Sequence, residues 1–102
     1  MSTNATTKKV MVSMKGSPSH YCTLIGEFLA EGHEVKVFGM EGAVVIAVDA
    51  VNRAVREGMG VVREVHTKSI PIKSRTTGRV NQRSQIEITV RHEAEITQLE
   101  YT

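Results

Sequence analysis

Few side chains here are spaced for making or breaking bonds. His20, His33, His66 and His92 show no metal-ligand spacing, and Cys22 has no second thiol with which to bind a metal or form an internal disulfide. No Ser/His/Asp set and no pair of carboxylates can be assigned from spacing. Asp49 stands among valines, as expected of a satisfied polar position or a hydrogen bond across a dimer. The chain is therefore expected to be no enzyme and to need no metal or cofactor. What remains is electrostatic. Residues 73–83 carry Lys73, Arg75, Arg79 and Arg83 and no acid, around a Thr76-Thr77-Gly78 turn signal. Such side chains can neutralise phosphates, and arginines can fork onto phosphate oxygens or enter a minor groove. The bland alternative is a solvated hairpin tip whose charges guard a sheet edge against aggregation.

Charge is distributed unevenly. The net charge is only +2, and residues 1–67 carry seven cations and seven acids, which cancel. Residues 68–91 carry Lys68, Lys73, Arg75, Arg79, Arg83 and Arg91 against Glu87 alone, while Glu93, Glu95 and Glu100 make the tail acidic. The positive field belongs to one stretch. A second candidate contact is Lys15 with Ser17, at a helix start where free N–H groups and the helix dipole favour an anion; the plain reading is a capped loop. Tyr21 could stack on a base, or it could begin the apolar stripe of that helix. The Gly39-Met40-Glu41-Gly42 turn has the glycine spacing of a phosphate cradle or a backbone clamp, but Glu41 would repel phosphate, and a close-packing turn is expected.

The positioning elements follow from periodicity. At 102 residues, with 40% hydrophobic content and almost no aromatics, one domain with a core of Val, Ile, Leu and Met is expected. Residues 1–7 read as a disordered leader, 8–93 as the folded domain, and 94–102 as an acidic tail. Residues 8–14 read as a strand. Ser17-Pro18 then starts a helix as N-cap and first-turn proline, with Tyr21, Leu24, Ile25, Phe28 and Leu29 on one face and Gly32 as a left-handed stop. Residues 34–39 form a second strand. A second helix over 43–57 carries Val44, Ala47, Val48, Val51, Ala54 and Val55 as its stripe and ends at Gly58. Val45 and Ile46 fall off that stripe and Met59 lies just past it, so these three are the expected padding of a dimer interface. Met11, Met14, Met40 and Met59 read as core filler, with interface padding as the other reading of Met59.

Residues 61–69 and 84–92 are the last two strands, which continue into a long hairpin with a basic tip. Ile70 and Ile72 alternate at one end of it and Ile86, Ile88 and Val90 at the other, a period of two that predicts half-buried strands with Lys73 and Arg75 facing away from the isoleucines. Pro71 lacks a ladder donor and so marks an edge strand. The order β-α-β-α-β-β predicts an α/β two-layer sandwich, with both helices on one face of a mixed four-stranded sheet and a protruding terminal hairpin.

Three stretches resemble the Alba family of small nucleic-acid-binding proteins: Lys15-Gly16-Ser17-Pro18-Ser19-His20-Tyr21, residues 38–51 from Phe38-Gly39 onward, and Gly78-Arg79 through Val90. The likeness spans roughly residues 8–93. It implies a fold like the C-terminal domain of translation initiation factor three, in a homodimer or a heterodimer with a paralogue, binding DNA or RNA without catalysis. Lys15 matches the first of the family's paired loop lysines, Tyr21 its helix-start tyrosine, and Arg79 with its neighbours the arm. The second loop lysine is Gly16 here, with the proline one place later, closer to the bacterial stage V sporulation protein S. The turn at residues 39–42 is less basic than in archaeal members and nearer to eukaryotic ones. The arm should therefore carry a larger share of binding.

The expected site is Lys15, Ser17, Tyr21, Lys73, Arg75, Arg79 and Arg83, contacting RNA or DNA with little sequence preference, in RNA regulation or chromatin. The alternative is a protein-interaction subunit of a heteromeric ribonucleoprotein such as a ribonuclease P or MRP assembly. The lone cysteine and the lack of a secretory signal or bilayer-spanning run suggest an intracellular setting, cytoplasmic or nuclear, with no membrane partner.

Overall fold

The computed structural model describes residues 6–92. In chain order the elements are β1 (Thr7–Met11), α1 (Pro18–Ala30), β2 (Glu34–Met40), α2 (Ala43–Arg56), β3 (Gly60–Lys73) and β4 (Val80–His92). The sheet order is β1-β2-β4-β3, with β1 parallel to β2 and the other two pairings antiparallel. β3 is thus an edge strand, as Pro71 requires. Thr7, placed with the leader by sequence, begins β1 opposite Glu34. Residues 1–5 of the expected leader and the whole acidic tail lie outside the described residues.

Both helices begin and end where local chemistry dictates. Ser17 is extended (φ −100°, ψ 150°), and its Oγ accepts from the His20 N–H at 3.2 Å, with Pro18 next in the first turn. Gly32 (φ 88°) closes α1: its N–H donates to the Leu29 carbonyl and that of His33 to Phe28. Gly58 (φ 76°) closes α2 in the same way through Val55 and Ala54.

The core lies between the helices and one sheet face. Ile25 and Leu29 of α1 meet Val35 and Val37 of β2 and Val90 of β4, all fully buried. Burying each such side chain contributes about 1.5–3 kcal/mol. On α2 the buried residues are Ala43, Ala47, Ala50, Val51 and Ala54, a face rotated from the predicted one, leaving Val44, Val48 and Val55 half-buried. The cause is proximity. A Cβ on Gly39 would lie 2.6 Å from the Ala43 carbonyl oxygen and 3.0 Å from the Ala47 Cβ, so the seam between β2 and α2 admits only small residues. The turn at residues 39–42 is therefore a close-packing turn, as expected.

The hairpin departs from the expectation of half-buried strands. β2 pairs with β4 only as far as Met40 opposite Gln85, whereas β3 and β4 stay paired to Lys73 opposite Val80. Beyond Gln85 the sheet is a two-stranded ribbon without a core. Ile86, Ile88 and Val90 are buried, but Ile70 is only half-buried and Ile72 is exposed, as is most of β3. The molecule extends 56 Å along its longest axis against 28 and 20 Å on the others.

Candidate nucleic-acid interface

The arm tip is closed by short-range bonds that its hydroxyl residues supply. The Ser74 N–H donates to the Arg79 carbonyl at 2.8 Å, and the Gly78 N–H, with Gly78 in the left-handed region (φ 74°), donates to the Ser74 carbonyl at 3.0 Å. Ser74 Oγ accepts from the N–H groups of Thr76 and Thr77, and Thr77 Oγ1 from that of Arg79. Arg75 and Arg79 are presented on this fixed turn and are exposed.

Register assigns every arm side chain to a face. Val35, Val37, Ile86, Ile88 and Val90 face the helices, and strand alternation carries that face out through Thr67, Ser69, Pro71 and Lys73, with Val80, Gln82 and Ser84 opposite. The helix-free face carries His66, Lys68, Ile70 and Ile72, opposite Glu87, Gln85, Arg83 and Asn81. Lys73 does lie on the face away from Ile70 and Ile72. Arg83 does not: it stands directly opposite Ile70, because the tip sets a register that the sequence did not disclose.

Lys68, Lys73, Arg75, Arg79 and Arg83 are all exposed, and none takes part in an ion pair among the described residues. The other charges of the segment are neutralised at its root. Arg91 Nε donates to Glu34 Oε2 at 2.6 Å, and Lys36 lies 3.4 Å from Glu87. That Arg91 bond is the main reason the Glu34 carboxyl is held below its ordinary pKa. The free positive charge is thus narrower than the sequence count, and Lys68 belongs to it.

Lys15 lies at the same end of the sheet. Its loop runs from Val12, whose N–H donates to the Phe38 carbonyl, to the α1 N-cap. Met14 of this loop packs on Gly42, where a Cβ would come 2.8 Å from the Met14 Sδ. The adjacent Glu41 N–H donates to the Ser84 carbonyl at the arm root, and Glu41 holds a positive φ of 54°. Loop, turn and arm are therefore joined in series. Lys15 and Ser17 are exposed, but Ser17 Oγ is already engaged in capping.

Of the two readings of Tyr21, base stacking and core packing, its position favours the core. It is buried, its Oη accepts from the Ser13 N–H at 3.0 Å, and Gly16 lies so close to the ring that a Cβ there would collide with it. Gly16, at the place of a family lysine, is thus required by the packing of Tyr21. Met59 also turns inward: its Sδ sits 2.5 Å from where a Cβ on Gly26 of α1 would be, which fixes it between the helices rather than on an outer surface. Ile46 packs half-buried against the core, and Val45 is 71% exposed. Val62 and Val65, on the helix-side face of β3, are exposed as well. Asp49 accepts from Arg53 Nε one turn on, and Arg53 also donates to Ser19 Oγ.

Other reactive groups are quiet. Burial, then the Glu57 carboxylate, pushes the Cys22 thiol above its ordinary pKa, which disfavours the nucleophilic thiolate. Among the described residues no group of His, Cys, Asp and Glu could hold a metal ion, and no helix is long and apolar enough to cross a membrane.

No protein-family model matches the chain, and no curated protein matches it. Solved structures do. Alba from Thermoplasma volcanium superposes with a TM-score of 0.74 at 15% identity, covering 83% of this chain and 100% of that one. ALBA1 from Trypanosoma brucei superposes with a TM-score of 0.70 at 23% identity, covering 92% and 80%. The chain has the Alba fold, as its sequence motifs led one to expect.

Proposed function

We propose that this Alba-fold chain is a nucleic-acid-binding protein that acts as a dimer and grips RNA or DNA through phosphates, with the β3–β4 arm as its main contact and Lys15 in support. One observation carries the reading: five exposed cations without ion-pair partners among the described residues stand on the arm and at its root, where none of residues 68–84 is buried in the core. Charges held apart in solvent repel one another and stabilise no fold, whereas a polyanion satisfies all of them by displacing its own counterions. Contacts of this kind carry little sequence information, which suits a general role in RNA regulation or chromatin, in the nucleus or cytoplasm. The test is titration of labelled RNA and DNA from low to moderate salt. Affinity must fall steeply with salt; a flat response overturns the proposal.

The dimer rests on Val45, Val62 and Val65, three exposed valines on α2 and on the helix-side face of β3, which a second Alba-fold chain would cover. The same valines favour a second reading, in which the partner is a paralogue within a heteromeric ribonucleoprotein. Sedimentation of the isolated chain separates the two. A dimer of one chain supports the first, and a monomer that associates only with a paralogue supports the second.

A further inference from the structure

We propose that the neck of the arm holds a site for a single unpaired nucleobase, between Lys68 and Gln85, through which the arm distinguishes single-stranded or looped nucleic acid from duplex. This rests on the reading of the arm as a phosphate grip and adds a reading of bases to it.

Where β2 ends at Met40, the sheet narrows to the two strands of the arm and leaves a cleft of ≈ 270 Å³ bounded by His66, Thr67, Lys68, Gln85 and Glu87. All but Thr67 belong to the helix-free face. The volume lies just below the roughly 300–1,000 Å³ typical of small-molecule pockets, a size for one base and not for a duplex segment. Two of its polar walls are already occupied, Glu87 by Lys36 at 3.4 Å and His66 by Glu64 at 3.4 Å. The other two on the helix-free face are open. Lys68 and Gln85 stand directly opposite each other in register, and neither side chain has a hydrogen-bond or ion-pair partner among the described residues. A free glutamine amide offers a donor and an acceptor in one plane, the pairing that reads a base edge, and the lysine adds a donor for ring nitrogens and carbonyl oxygens.

The next positions on the same face continue the pattern. Arg83 lies two residues from Gln85, about 7 Å along the strand, with Ile70 opposite it; Asn81 and Ile72 follow as the next pair. A base in the cleft thus brings its phosphate beside Arg83 and its neighbouring base over Ile70 and Ile72, within reach of a second amide. The helix-side face of the arm has Lys73 but only Val80, Pro71, Ser69 and Gln82 around it. The helix-side face also carries an amide, Gln82, but it stands opposite Pro71 with no facing lysine; only the helix-free face sets its amide opposite a lysine at the cleft, where a base can be held as well as charge. Bases paired within a duplex cannot leave the stack to enter the cleft without unpairing, so duplex is held by phosphates alone.

The test compares a 12-nucleotide single-stranded RNA with the duplex of the same sequence, by fluorescence anisotropy at one moderate salt concentration. Gln85→Met keeps the stem and removes the amide. It should lower single-strand affinity roughly ten-fold, within what one bidentate amide–base pair supplies, and leave duplex affinity and the salt slope unchanged. Lys68→Met should lower single-strand affinity more than duplex affinity, whereas Arg79→Ala should weaken both alike. Gln85→Met weakening both equally, or neither, overturns the base site. A measurement on the unaltered protein guards against a folding effect. Adenosine monophosphate, but not ribose 5-phosphate, should shift the Gln85 side-chain amide resonances, and equal shifts from both overturn the proposal. If the unaltered protein binds neither RNA nor duplex, the phosphate grip itself has failed.

Discussion

Arginine to alanine at positions 75, 79 and 83 separates binding from folding, because the three side chains touch nothing that the fold needs. Each is exposed, none is in an ion pair among the described residues, and the tip turn is closed by Ser74, Thr77 and backbone groups rather than by arginine side chains. If all five free cations of one arm meet phosphates, the slope of log affinity against log salt for duplex is about −4.5, and with two cations left it is about −1.8. Between 50 and 200 mM salt, the first corresponds to an affinity loss of roughly 500-fold and the second to roughly 12-fold. Anisotropy titration at four salt concentrations reads both slopes, and a dimer that uses both arms doubles them. Thermal denaturation of the triple variant should stay within about 0.5 kcal/mol of the parent, as for surface substitutions elsewhere. An unchanged slope would show that the phosphates lie somewhere other than on the arm. A large loss of stability would show that the ribbon is part of the core after all.

Other substitutions probe the scaffold that sets the arm. Gly16→Ala forces a methyl into the Tyr21 ring and should destabilise by about 1–3 kcal/mol, measured by urea unfolding, while Tyr21→Phe should lose about 1 kcal/mol with the Ser13 bond. Gly39→Ala should be at least as damaging as Gly16→Ala, since the obstructing atom at 2.6 Å is a helix carbonyl that cannot rotate away. Glu34 gives a pH effect of fixed sign. Its folded pKa is depressed, mainly by the Arg91 hydrogen bond, so its contribution is present above the ordinary carboxylate range and is lost as pH falls through the depressed value. Arg91→Ala should flatten the acid limb of the stability profile; an unchanged limb would place the acid sensitivity elsewhere.

The parts of this fold set by neighbouring residues were legible in sequence. Ser17-Pro18 starts α1, and Gly32 and Gly58 end the helices in left-handed turns, because cap chemistry acts over a few residues. The parts set by close approach were not. The buried face of α2 follows alanines rather than valines because Gly39 draws the helix against β2, and a hydrophobicity pattern gives alanine little weight. The alternation of Ile70 and Ile72 matches that of Ile86 and Ile88, but only the latter pair has β2 and the helices beside it, and no local pattern tells where β2 stops. The four arm cations first picked out remain exposed, yet Tyr21 proved to be enclosed, and Lys68, Asn81 and Gln85 gained meaning only from register. That register follows by counting back from a six-residue turn closed between Lys73 and Val80.

The end of β2 is what divides labour in this molecule. From Gln85 to Val90, a side chain on β4 has strands on both sides, and those on the helix side must satisfy the packing of α1 and α2; before Gln85, a side chain meets only its cross-strand partner and solvent. A two-stranded ribbon is marginal by itself, so the arm takes its stability from the body through continuous ladders and through the Glu41–Ser84 bond. That same bond ties the arm root to the turn on which the Lys15 loop rests, which fixes the spacing between the two sets of cations without any contact between them. Glu41 therefore contributes through its backbone, in a left-handed conformation that glycine adopts more readily, while its carboxylate adds a repulsive charge to a basic end of the sheet. Glu41→Gly should keep the Ser84 bond, relieve the backbone strain and remove that charge. Binding at low salt should then tighten by a few-fold with no loss of stability. Weaker binding would mean that the carboxylate is itself a contact, accepting from a base amino group, and would move base recognition from the neck of the arm to the turn beside it.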